Sequence, residues 1–170
     1  MRVTIMKTRH LLSPCAILLF LAAAAHADPP PMDLATYPRA ALEIVQQAGD
    51  SVRRFQFDVW VADTPARSEQ GLMYVRDLPA DRGMVFPFEP PRAVNFWMKN
   101  TYIELDLLFI AADGRVAKIT SRAAPLRLDL LSSDVPVGAV LELRGGEAGL
   151  LGIKVGDRVS WKRVGKAAAD

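Results

Sequence analysis

Residues 53–62, RRFQFDVWVA, alternate so regularly that one local structure fits them. Phe55, Phe57, Val59 and Val61 fall on one face, and Arg54, Gln56 and Asp58 on the other. A period of two is that of a half-buried β-strand. Residues 41–47 (ALEIVQQ) precede it across the turn Ala48-Gly49-Asp50, which predicts a hairpin. Further strands are expected at 84–88, 94–98, 105–111, 115–121, 139–143 and 158–164. They are separated by turn formers such as Ala112-Asp113-Gly114 and by a loop over 125–136. Thr64-Pro65 has the form of a helix start, an N-cap followed by proline at the first helical position, and predicts a helix over 65–73. Residues 145–152 read as a small-residue loop or a single helical turn. Many short strands with one or two short helices predict an all-β, single-domain fold, either a β-sandwich or a barrel-like arrangement.

The amino terminus has a separate character. Arg2, Lys7 and Arg9 precede a continuous apolar run from Ala16 to Ala25, and Ala25-His26-Ala27 is a small-x-small site. These are the parts of a cleavable signal peptide over residues 1–27, so the mature protein is expected in the periplasm or secreted, without a membrane span. Residues 28–40 contain four prolines and read as an extended lead-in. The β domain then runs over 41–164, with a disordered tail at 165–170.

Cleavage would remove His10, His26 and Cys15, the only histidines and the only cysteine of the chain. A mature chain of that composition excludes a Ser–His–Asp triad, a cysteine nucleophile and imidazole or thiolate zinc sites. No metal and no cofactor is expected. The leader also holds three basic and no acidic residues, so 18 basic residues then face 19 acidic ones. A domain of that balance has no global attraction to nucleic acid. Without disulfides it depends on its core.

Two carboxylates and one polar cluster remain as chemistry. Phe96-Trp97-Met98 runs directly into Lys99-Asn100-Thr101. If the strand continues, Trp97, Lys99 and Thr101 share one side. Asp106 interrupts the apolar strand Leu105–Ile110, where an uncompensated carboxylate costs several kcal/mol. Lys99 is the preferred partner. The pair is either a structural brace or the polar floor of a pocket walled by aromatics. Glu142, between Leu141 and Leu143, either faces solvent or is a second pocket carboxylate. Arg67 and Arg76 are either surface and capping groups or anion clamps.

The order of these segments resembles an exported bacterial and archaeal family known as domain of unknown function 192. The resemblance rests on Thr64, Arg67, Gly71-Leu72-Met73 and Arg76, and on Gly83-Met84 with Phe86 and Phe88. It continues through Phe96 to Thr101, Leu105-Asp106, Phe109-Ile110, Gly114, Pro125, Val140 to Leu143, and Gly152-Ile153 with Gly156-Asp157. It implies a single compact β-sandwich-like domain and no particular reaction. Arg67, Arg76, Lys99, Asn100, Thr101, Asp106 and Glu142 fall on positions of the family pattern. Two departures stand out: Glu104 replaces a usual proline, and the loop 126–135 lacks cysteines that some members carry.

Three functions follow as expectations. The first is binding of a small polar ligand or an envelope component at a pocket formed by Arg67, Arg76, Trp97, Lys99, Asn100, Thr101, Asp106 and Glu142. The second is a hydrolase or lyase using Asp106 and Glu142 as acid and base. The third is a structural envelope protein with no small-molecule site.

Overall fold

The computed structural model describes residues 31–164, so the expected leader (1–27) and the expected tail (165–170) lie outside the described residues. Nine strands and two short helices follow in the order β1 (Arg39–Ala48), β2 (Ser51–Val61), α1 (Pro65–Gln70), β3 (Arg82–Arg92), β4 (Asn95–Phe96), β5 (Leu105–Ile110), β6 (Val116–Ala123), β7 (Leu131–Ser132), β8 (Val137–Arg144), α2 (Glu147–Leu151) and β9 (Arg158–Val164). The domain is all-β with two short helices.

Seven strands form one sheet in the order β6-β5-β8-β3-β2-β1-β9, and β4 pairs with β7 in a small second sheet. The expected hairpin is present, with Phe57 opposite Leu42 and Phe55 opposite Ile44. Only β2 and β3 run parallel, and α1 with its following turn makes that crossover. The two outermost strands of the large sheet meet at one end. Arg115 bridges Arg158, Val116 N–H donates to Asp157 O at 2.9 Å, and Val159 N–H donates to Gly114 O at 2.7 Å. The sheet therefore curls into a barrel joined at that end. This settles the choice between sandwich and barrel that alternation left open, and departs from the sandwich-like form that the resemblance implied; it also reduces the exposed edge a flat sheet would present.

Curling divides the core in two. Leu42, Ile44, Phe57, Val59, Val61, Val85, Leu108, Ile110, Leu141 and Leu143 fill the barrel, with Ala148 and Ile153 of the α2 region packed among them. Leu72, Leu78, Met84, Phe86, Met98, Leu105, Leu107, Phe109 and Val140 form a second cluster on the outer face of β3, β5 and β8. The segments 62–81 and 93–104 cover that outer face. All six residues of β5 are buried, as expected of a strand covered on both sides.

Three local expectations are corrected. The helix begins with Thr64 as cap and Pro65 at its start, but ends at Gln70 rather than 73, because Gly71 adopts φ 52° and ψ −134°. The predicted strand 94–98 is only Asn95–Phe96, paired with Leu131–Ser132 inside the predicted loop. Beyond Phe96 the chain turns: Thr101 N–H donates to Met98 O at 3.1 Å, and Asn100 sits at φ 54°. The assumed strand alternation from Trp97 to Thr101 therefore does not apply. Finally, the part of the lead-in that is described is packed. A 3-10 turn at Leu34–Thr36 is capped by Asp33, and Tyr37 is buried.

Candidate functional site

The outer face of β3 and β8 is not fully covered. A cleft of about 490 Å³ lies between the end of α1 with its turn (Ser68 to Met73) on one side and residues 92–97 with Thr101 on the other. Phe86, Phe88 and Glu142 complete its lining.

Glu142 reaches this cleft by strand alternation. Leu141 and Leu143 point into the barrel, while Val140 belongs to the outer cluster, so Glu142 faces outward with it. Its register partners are Met84 on β3 and Leu107 on β5. Covered by the α1 turn, it is 5% exposed, and its Oε2 has no hydrogen-bond partner. Burial among apolar groups penalises the anion and pushes the carboxyl up to about 8 from an ordinary 4.5. Of the two readings left open for this residue, solvent facing or pocket carboxylate, the position in the cleft is the second.

Two glycines permit this arrangement. A Cβ on Gly71 would lie 3.3 Å from Phe86 Cζ and 3.9 Å from Glu142 Oε2, and its positive φ disfavours any side chain. A Cβ on Gly83 would stand 2.5 Å from the backbone oxygen of Glu142, so β3 and β8 can approach closely only with glycine there.

The walls are aromatic. Phe96 meets Phe86 edge-on at 5.0 Å and Phe109 at 6.4 Å. Trp97 is 46% exposed at the rim, with Lys99 Nζ 5.9 Å from its ring centroid. The Arg92 guanidinium lies 5.0 Å from the Phe88 ring. Thr101 is buried in the lining, and its hydroxyl donates to Lys99 O at 3.2 Å.

Asp106 belongs elsewhere. It is opposite Leu143 in the β5–β8 register and so faces the barrel side, whereas Glu142, opposite Leu107, faces outward. Asp106 is fully buried and accepts three backbone hydrogen bonds, from Arg122 N–H at 2.8 Å and from Gly146 and Ala148 N–H at 2.9 Å each. The charge is compensated by main-chain donors, and the carboxylate ties β6 to the turn entering α2. The expected compensation by Lys99 gives way to this arrangement. The expected pairing of Asp106 with Glu142 as acid and base has no common cavity, because the sheet separates them.

The remaining expected residues serve as braces. Arg67 pairs with Asp63 at 2.6 Å, donates to Thr36 O at 3.3 Å and lies 5.5 Å from the Tyr37 ring, fastening the N-terminal segment to α1. Burial works against the Asp63 anion, but hydrogen bonds from Arg67 and Arg163 outweigh it and hold this carboxyl below its usual range. Arg76 lies 4.6 Å from the Tyr102 ring, away from the cleft. Asn100 donates from Nδ2 to Tyr74 Oη at 3.0 Å, and its carbonyl accepts from Tyr74 N–H at 2.8 Å. Of the eight residues expected to form one pocket, the structure brings Trp97, Thr101 and Glu142 into the cleft lining.

Sequence reasoning missed Ser68, Gln70, Arg92 and Asn95. Gly71, Phe86 and Phe88 stood in the family pattern but were not among the expected site residues. Among the described residues no group of three or more His, Cys, Asp or Glu could hold a metal ion. Within the same span no helix is long and apolar enough to cross a membrane.

Several solved chains share this fold, two of them as follows. A suggested transcription regulator from Sinorhizobium meliloti 1021 is 40% identical, with a TM-score of 0.70 over 74% of this chain and 95% of that one. A protein of unknown function from Novosphingobium aromaticivorans DSM 12444 is 36% identical, with a TM-score of 0.71 over 80% of this chain and 94% of that one. No functionally curated protein matches. The profile of DUF192, an uncharacterized ACR, matches residues 44–161, and the chain belongs to that family.

Proposed function

We propose that this chain is an exported domain that binds a small polar ligand in the cleft over β3 and β8. The observation that carries this reading is Glu142. A carboxyl held under cover, with one oxygen unpartnered, destabilises a fold that has no use for it. An apolar side chain of similar size would suit packing better, so the group fits a role in receiving a ligand. The aromatic lining supplies contact area, and Ser68, Gln70, Asn95 and Thr101 supply polar groups around it. Export is supported by the leader anatomy of residues 1–27.

The role suggested for the S. meliloti protein is not carried over. After loss of the leader the chain is nearly neutral, and Arg92, the arginine of the cleft lining, lies against an aromatic ring rather than in a basic stripe.

The test is a thermal-shift screen of sugars, dipeptides, nucleosides and amines against the wild type and Glu142→Gln. A compound that raises the wild-type Tm by several degrees and leaves the variant unmoved is the expected result. A screen in which every stabilising compound acts equally on both proteins would reject this cleft as the site.

A further inference from the structure

We propose that the cleft above Glu142 receives a primary ammonium group, carried by a small organic amine or by a lysine side chain. The inference rests on the cleft being a binding site and names the chemistry it takes. Glu142 Oε2 has no partner, and Thr101, the other buried polar group in the lining, already directs its hydroxyl to Lys99 O. A ligand offering only acceptors could be met by the protonated carboxyl alone, so it would lose its hydrogen bond and face an anion as pH rises past about 8. A ligand offering N–H donors and a positive charge satisfies and neutralises it together. A fully methylated ammonium would neutralise the charge but leave the oxygen without a hydrogen. Among the described residues no group of three or more His, Cys, Asp or Glu is gathered there to complete a metal site.

The walls suit a cation as well. Aromatic ring faces attract positive charge, and the protein's own cations already use two rings at the rim, Arg92 over Phe88 and Lys99 over Trp97. Phe86 and Phe96 remain beside Glu142 in the lining, where an alkyl chain could lie. The charged groups on the surrounding elements are Glu69 near the end of α1, Arg92 on β3 and Lys99 beside Trp97. The register partners of Glu142, Met84 and Leu107, are apolar.

A characteristic pH signature follows. With its carboxyl near 8, Glu142 carries a proton at pH 6 and must release it to receive an ammonium. Affinity therefore rises with pH, approaching tenfold per unit, and levels off above about pH 8. The described residues contain no histidine to confuse this range.

Isothermal titration calorimetry of the purified protein tests it, with cadaverine as a free amine, Nα-acetyl-lysine-N-methylamide as a peptide lysine, and 1-pentanol as the uncharged chain. Titrations at pH 6, 7 and 8 in buffers of different ionisation enthalpy count the protons released. The expected result is binding of at least one ammonium probe, with close to one proton released at pH 6, tightening towards pH 8, and a Kd at least tenfold weaker in Glu142→Gln. Whichever of the two ammonium probes binds more tightly identifies the source. The inference is overturned if neither ammonium probe binds below about 10 mM, if 1-pentanol binds equally well, or if binding releases no proton. The proton count needs only the wild type, so it stands even if Glu142→Gln folds poorly. Stabilisation by a sugar or an N-acetylated, lysine-free dipeptide that depends on Glu142 would reject the ammonium and leave the binding site intact.

Discussion

Two buried carboxylates lie on neighbouring strands, on opposite faces, and their surroundings give them opposite tasks. Asp106 accepts three main-chain N–H groups and so fastens β6 to the turn entering α2. In Asp106→Asn at least one N–H would confront an amide NH2 instead of an oxygen. The variant should lose about 3 kcal/mol in urea unfolding, since a buried charged acceptor is removed and donors are left unsatisfied. Glu142 links stability to pH. Its folded pKa of about 8 lies above the ordinary 4.5, so between those values the native state holds a proton that the unfolded chain has released. Its contribution is intact below pH 4.5, is lost progressively as pH rises towards 8, and is constant above. The stability of Glu142→Gln relative to wild type should therefore increase from pH 5 to pH 8, by on the order of 1 kcal/mol per pH unit. Denaturation of both proteins across that range measures it. A difference that does not change with pH would show that Glu142 is ionised in the fold.

At the scale of elements, the turn after α1 decides whether the cleft exists. Gly71 ends the helix at φ 52° and ψ −134°, a region that side chains avoid, and leaves space between Phe86 and Glu142. Gly71→Ala should cost about 1–3 kcal/mol and narrow the cleft, read as a lower Tm together with loss of any compound found in the binding screen. The strands were legible in the sequence because the period of two is local: β1 and β2 fall within two residues of the expected limits. Buried β5 was legible for the opposite reason, its lack of alternation. The segment from Trp97 to Thr101 was misread because its turn depends on Asn100 accepting a positive φ, which asparagine tolerates without announcing it. The partner of Asp106 was misread for a related reason. Main-chain donors from residues 122, 146 and 148 leave no mark in side-chain identity. Glu142 could not be assigned, because alternation specifies two faces but not which of them lies under a covering segment.

Over the whole molecule, the barrel is joined at one end by backbone pairing of β6 with β9, and its outer face is covered by segments that are not strands. One cover lies outside the region shared with the family, which begins at residue 44. Tyr37 is 3% exposed within the outer cluster and lies against Arg67, Met32 is hydrogen-bonded through its backbone to the Gln70 side chain, and Thr36 accepts from Arg67. Burial also raises the Tyr37 phenol above its usual value, with Arg67 opposing, as befits a ring taken largely out of water. The segment is thus a strap across α1, the element that forms one wall of the cleft. The proposed leader would end at Ala27, which leaves the strap on the exported protein. Intact mass from a periplasmic extract should then begin at Asp28, and a product retaining Met1 to Ala27 would contradict export. Removing residues 28–38 as well should destabilise the domain by about 2–4 kcal/mol, the burial of one large aromatic side chain and its neighbours. It should also weaken binding in the cleft by loosening the helix behind Gly71. If the truncated protein unfolds at the same denaturant concentration as the longer one, the strap is only draped on the surface and α1 holds its place unaided.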